Sequence, residues 1–243
     1  MTASRPVALV TGGSAGIGRA IVEQLLAHDY EVLSLDLLPG AHQHPRLHAF
    51  EVDLADRAAT AQLAQDLMRR FEITTLVHNA GVIRPALLAD VQLQDLDALV
   101  NLHLGCAIQL VQATLPAMRA ARFGRVVLLS SRAALGVVTR TSYSATKAAM
   151  MGMARTWALE LAPDGITVNV VAPGPIRTDM FHAVVPAGSE RERALAAAIP
   201  VQRLGEGADV ARAVRFFTDP LNSFVTGQVL YVCGGSSIGS ISL

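Results

Sequence analysis

Short β-branched apolar runs alternate with longer helical patterns along nearly the whole chain, and this alternation limits the fold more than any single motif does. Residues 7–11, 31–36, 47–52, 75–79, 125–130, 167–171 and 228–232 read as strands. Residues 16–28, 56–70, 93–118, 142–161, 189–198 and 208–219 read as the helices between them. Runs such as VVLL and VNVV lack the in–out alternation of a half-exposed strand, so both faces of the sheet are expected to be covered. The chain therefore reads as α/β, a doubly wound parallel sheet in a three-layer α/β/α sandwich. A length of 243 residues suits one such domain. Residues 180–207 interrupt the alternation and are the candidate substrate lid.

Composition removes whole classes of function. Twenty basic and 20 acidic residues cancel, which leaves no basic stripe for nucleic acid. With 51% hydrophobic and only 16% charged residues, the chain is too apolar to be disordered. That little charge also suggests surface buried against further copies of the chain. Cys106 and Cys233 stand alone, with neither metal nor CxxC spacing, as expected in a reducing compartment. No signal peptide is read at the N-terminus, and no uninterrupted apolar run reaches the roughly 20 residues of a membrane helix. The expectation is a cytoplasmic protein with no membrane partner.

The first strand runs into Thr11-Gly12-Gly13-Ser14-Ala15-Gly16-Ile17-Gly18, and a helix follows at once. Glycines at a strand–helix junction let the backbone approach a pyrophosphate, whose charge the exposed N–H groups and helix dipole favour. The spacing is GxxxGxG, unlike the GxGxxG fingerprint, but the placement makes a Rossmann-like dinucleotide site. Asp36 closes the second strand 18 residues past Gly18, where an acid can bond a ribose 2′-hydroxyl and repel a 2′-phosphate. Ala15 and Leu37 occupy the places where a cation would offset that repulsion. NAD is thus expected over NADP.

Tyr143 and Lys147 lie four apart at the start of a helix and share a face. A free phenol titrates near 10, and a nearby cation stabilises the phenolate. Alone, such a pair is ordinary helix surface; its company changes the reading. TGGSAGIG at 11–18, Asp36, Asp53-Leu54, HNAG at 78–81, Asn101 in VNLHLG, Ser130-Ser131, YSATK at 143–147, PGPIRT at 173–178 and GQ…GG at 227–235 follow in order. In these segments the chain resembles the short-chain dehydrogenase/reductase family, in its compact single-domain form.

The resemblance implies an NAD-dependent oxidoreductase that interconverts a secondary alcohol and a ketone. Tyr143 would be the general acid/base, Lys147 would tune it and hold the nicotinamide ribose, and Asn101 would hold a relay water. A serine would orient the substrate oxygen. Ser130 fits the usual spacing, 13 residues before the tyrosine; Ser131, 12 before, fits the strand-end pattern. Only one can face the site, because neighbouring strand side chains point to opposite faces; the reading selects Ser131. Gly12, Ser14, Gly16, Ile17 and Gly18 would hold the pyrophosphate and adenosine side. Asp53 and Leu54 would flank adenine, and Asn79, Ala80 and Gly81 would pack beneath the adenosine half. Pro173, Gly174, Ile176 and Thr178 would line the nicotinamide end.

The apolar pocket walls carry Arg84, Arg140, His103 and His182 as polar handles for a small substrate. His42, His44 and His48 read as solvated loop histidines, so no metal is expected. Met150, Met151, Met153 and Trp157 read as core or subunit filler, and the resemblance implies a homo-oligomer, tetramer or dimer. Two other activities fit less well: a 3-oxoacyl-thioester reductase using NADPH, which Asp36 opposes, and a non-catalytic NAD-sensing protein.

Overall fold

The computed structural model describes residues 5–38, 40 and 42–238. Among them is a seven-stranded, all-parallel sheet: β1 (Val7–Thr11), β2 (Glu31–Asp36), β3 (Leu47–Glu51), β4 (Ile73–His78), β5 (Gly124–Leu129), β6 (Ile166–Pro173) and β7 (Val229–Val232). The strands run in the order β3-β2-β1-β4-β5-β6-β7. The order reverses between β1 and β4, so a crevice opens at their carboxyl ends. The strand positions match the sequence reading to within two residues at each end.

Alternation along β1 divides the core in two. Val7 and Leu9 face one helical layer, packed with Leu33, Leu76, Leu110 and Met150. Ala8 and Val10 face the other, with Ile21, Val32, Val77, Val210 and Val214. Each fully buried Leu, Ile or Val contributes roughly 1.5–3 kcal/mol through removal of apolar surface from water. The first layer comprises α2 (Arg57–Arg70), α3 (Leu93–Val100), α4 (Cys106–Ala121) and α5 (Thr141–Leu161); α1 (Gly16–Leu26) pairs with a later helix, Gly207–Thr218, in the second. Asp56 caps α2 by accepting from the backbone N–H groups of Ala58 and Ala59.

The sequence suggested one helix over 93–118; the structure interrupts it. Asn101–Gly105 form a π-helical turn, with the Cys106 N–H on the Asn101 carbonyl. Such turns widen a helix locally and are frequent at functional sites. The stretch Leu93–Ala121 is long and apolar enough by length and composition to cross a membrane, although Asp95, Asp97, Asn101 and His103 interrupt its apolar run. Leu99, Cys106, Leu110, Val111 and Met118 bury its apolar stripe against the sheet.

The segment expected to be a lid carries a short helix, α6 (Asp179–His182), and α7 (Glu190–Ala198), followed by α8 (Gly207–Thr218). Arg177 ties it together, reaching Glu192 at 3.3 Å and Glu206 at 2.5 Å.

Candidate active site

The glycine loop leaves β1 and turns sharply at Gly12, whose φ of +66° suits glycine. A Cβ there would stand 2.9 Å from Asn79 Nδ2 and 3.0 Å from Ala80 Cα, and at Gly18 it would strike the Gly12 carbonyl oxygen. The loop is held from beneath. Asn79 Nδ2 donates to the carbonyls of Thr11 and Gly12 at 3.1 and 3.0 Å. Thr11 Oγ1 accepts from the N–H groups of Asn79 and Ala80. The Asn79 side chain thus braces the loop. Asp36 accepts from the N–H groups of Ser14 (2.9 Å) and Leu37 (2.7 Å). Its carboxylate is thereby fixed beside the loop with lone pairs to spare.

These residues fit a nicotinamide dinucleotide: a glycine-rich cradle at a helix N-terminus and a fixed acid at the end of β2. Ile17 packs on the second core layer behind the cradle. Thr178 closes it from the other side, since a Cβ on Gly16 would lie 3.2 Å from Thr178 Cγ2. Thr178 also caps α6 through the Phe181 N–H, and Ile176 is buried against the Gly205 segment. Pro173 ends β6, and Gly174 is required by packing: a Cβ would meet Cys233 at 2.8 Å. Asp53 Oδ1 accepts from the Ala55 N–H in a local turn. Leu54 is core, so only its backbone can reach an adenine.

Tyr143 and Lys147 project from the first two turns of α5. Ser130 and Ser131 part as strand alternation requires. Ser130 is buried and donates to the Lys147 carbonyl at 2.6 Å. Ser131 Oγ accepts from the Ala133 N–H at 3.0 Å. Burial raises the phenol above its ordinary value, while Ser131 and the charge of Arg140 pull it back. Lys147 is fully buried, and burial alone brings its ammonium down to about 7. Its Nζ donates to the Leu129 carbonyl at 2.7 Å and lies 5.7 Å from the Tyr143 ring centroid. Burial is the largest influence on both groups. Asn101 stands apart from them, its Oδ1 accepting from Arg57 at 2.5 Å.

His103 does not line the pocket as expected. It is fully buried behind Tyr143, with ring centroids 5.7 Å apart, edge to face. Its Nδ1 meets Thr146 Oγ1 at 2.8 Å, and its Nε2 accepts from the Val82 N–H at 3.3 Å. His78 is buried as well, with Nδ1 on Thr11 Oγ1 at 3.1 Å. Burial and the Lys147 charge hold His103 at about 2 and His78 at about 3, so both are neutral. No local sequence signal marks these two, or Arg57, as members of one cluster. Gly81 fits among them because a Cβ there would lie 2.9 Å from His103 Nε2 and 3.4 Å from Lys147 Nζ. His182 pairs with Glu192 at 3.4 Å.

The chain is similar to known proteins. A family model described as enoyl-(acyl carrier protein) reductase matches residues 12–237. The 3-oxoacyl-[acyl-carrier-protein] reductase FabG of Salmonella typhimurium is 34% identical over 238 residues, covering 94% of this chain and 96% of that protein. The (2S)-[(R)-hydroxy(phenyl)methyl]succinyl-CoA dehydrogenase subunit BbsD of Thauera aromatica is 35% identical, covering 96% of each. Among solved structures, a putative NAD(P)-dependent gluconate 5-dehydrogenase from Beutenbergia cavernae, with NADP bound at low occupancy, superposes with a TM-score of 0.86. It is 32% identical, and the match covers 95% of this chain and 96% of that one.

Proposed function

Since the chain belongs to the short-chain dehydrogenase/reductase family and is an oxidoreductase, we propose that it interconverts a secondary alcohol and a ketone with NAD(H), using Tyr143 as general acid/base. When bound, the cofactor supplies or takes up the hydride. The chain does the rest. Ser131 and the Tyr143 phenol are the two groups assigned to bond a substrate oxygen. In oxidation Tyr143 takes the alcohol proton; in reduction it returns one. Ser131 holds the oxygen while charge develops on it. Lys147, titrating near 7, exchanges a proton at Nζ near neutral pH. The relay expected of Asn101 is not assigned to it, because its Oδ1 is held by Arg57.

The observation that supports the NAD preference is Asp36, whose carboxylate is held at the end of β2 beside the glycine loop, where an acid can bond a ribose 2′-hydroxyl and repel a 2′-phosphate. A second reading, an NADPH-dependent 3-oxoacyl-thioester reductase, is favoured by FabG and by the NADP in the Beutenbergia structure. Arg19 also lines a hollow with Ser14, Ser34, Gly40 and His42, although it is paired with Glu23 at 3.5 Å. NADH or NADPH formation at 340 nm across secondary alcohols, with Y143F as control, separates the two. Signal with NAD that Y143F abolishes supports the first reading; signal with NADP alone supports the second.

Leu159, Leu221 and Phe224 are more than four-fifths exposed, which supports a homo-oligomer measurable by light scattering. Two free buried cysteines agree with a reducing, cytoplasmic setting.

A further inference from the structure

Arg140 is the last residue before α5 and stands three positions ahead of Tyr143, one helical turn away on the same side. Its backbone is held from two directions. The Ala86 N–H donates to the Thr139 carbonyl at 3.1 Å, and Ala86 and Arg140 form an isolated bridge that joins the two pocket walls. Thr139 carries a φ of +67°, which costs a β-branched residue energy and persists only where the surroundings impose it. The effect is to aim the residue that follows.

The guanidinium is clamped on one edge only. Nη1 donates to Thr139 Oγ1 at 2.7 Å and to the Thr139 carbonyl at 3.3 Å. Among the described residues, Nε and Nη2 have no partner, and no carboxylate lies within 4 Å. Other arginines around the pocket are occupied: Arg84 on Asp95 at 3.4 Å, Arg132 on the Ser236 carbonyl at 2.9 Å, and Arg177 on Glu192 and Glu206. Arg140 is half-buried and, among the described residues, is paired with no anion. No side chain caps the helix behind it, so the dipole adds to the positive potential. The charge is near enough to Tyr143 to influence its phenol.

We propose that Arg140 receives a substrate carboxylate through the free Nε–Nη2 edge, which makes the preferred substrates short hydroxy or oxo acids. This rests on the oxidoreductase reading above and adds a substrate class to it. A guanidinium edge matches the two oxygens of a carboxylate, and the bond is worth more in a partly dry pocket.

The test compares kcat/KM for acids bearing a hydroxyl on C2, C3 or C4 with that for their methyl esters. The wild type should prefer the best acid about tenfold or more. R140Q should bring the ratio to about one, and R140K should keep part of it, because an ammonium retains the charge without the fork. Taking the ratio cancels any effect of Arg140 on Tyr143 itself. Binding of butyrate and butyramide to the NADH complex, by calorimetry, reads the site without turnover: butyrate alone should bind, and R140Q should lose it. An acid/ester ratio unchanged in R140Q, or butyrate binding that survives R140Q or is missing from the wild type, overturns the proposal. Esters turned over with no preference for acids sink the anion site but leave the oxidoreductase reading. Arg140-dependent butyrate binding with no turnover of either series does the reverse.

Discussion

The two walls of the crevice are built differently. The dinucleotide wall is held by buried and part-buried bonds that reach across the sequence: Asn79 Nδ2 onto the carbonyls of Thr11 and Gly12, the Asn79 and Ala80 N–H groups onto Thr11 Oγ1, and the Ser14 N–H onto Asp36. The substrate wall is held by half-exposed ion pairs, Arg177 with Glu206 and Arg84 with Asp95. Buried bonds left unmade cost a full desolvation penalty, whereas exposed ion pairs contribute little. The fold therefore makes the cofactor cradle rigid and leaves the substrate face cheap to vary.

That contrast can be broken or sharpened by experiment. The largest effect belongs to the chemistry between the walls: Y143F should lower kcat by about 10²–10⁴-fold or more with dinucleotide affinity kept, read by turnover at 340 nm and by fluorescence titration of NADH. S131A should lose turnover while S130A keeps most of it, because Ser130 is committed to the Lys147 carbonyl; the opposite result exchanges the two serines. On the dinucleotide wall, N79A should destabilise the protein by about 1–3 kcal/mol in urea melts, since it strands the Thr11 and Gly12 carbonyls. On the substrate wall, R84A should cost less than about 1 kcal/mol in the same melts, because the side chains of Arg84 and Asp95 are both half-exposed, and a larger loss there would erase the contrast.

The buried cluster makes a pH prediction. His78 and His103 bind protons less well folded than unfolded, where histidine titrates near 6.5, so the unfolded state takes up more protons as the pH falls. Their contribution to stability is complete above about 6.5 and is lost as the pH falls toward 3. Lys147 works in the same sense higher up: its contribution grows as the pH rises from about 7 to about 10.5. Urea midpoints should therefore fall between pH 6.5 and 3, less steeply in H78N, and should rise above pH 7 less in K147M than in the wild type.

Local patterns carry most of the fold. Strand-length apolar runs and helical periodicity located the sheet, because burial on both faces leaves its mark on every residue of a strand. The glycine loop, Asp36 and the Tyr143–Lys147 pair were equally legible, since each is a short segment whose geometry follows from its own residues. The π-turn at Asn101–Gly105 was not, because a helix of unbroken apolar pattern gives no sign of one extra residue in its winding. The polar groups that meet around Lys147 were not legible either. His78 and His103 come from β4 and from that turn, and the Arg57 that holds Asn101 comes from α2, 44 residues earlier. Sequence alone determined which elements form and which residues can do the chemistry. Only the tertiary structure decided which serine bonds the Lys147 carbonyl, how far burial moves Lys147, and which arginine keeps an unbonded edge among the described residues, because each depends on atoms brought together by packing.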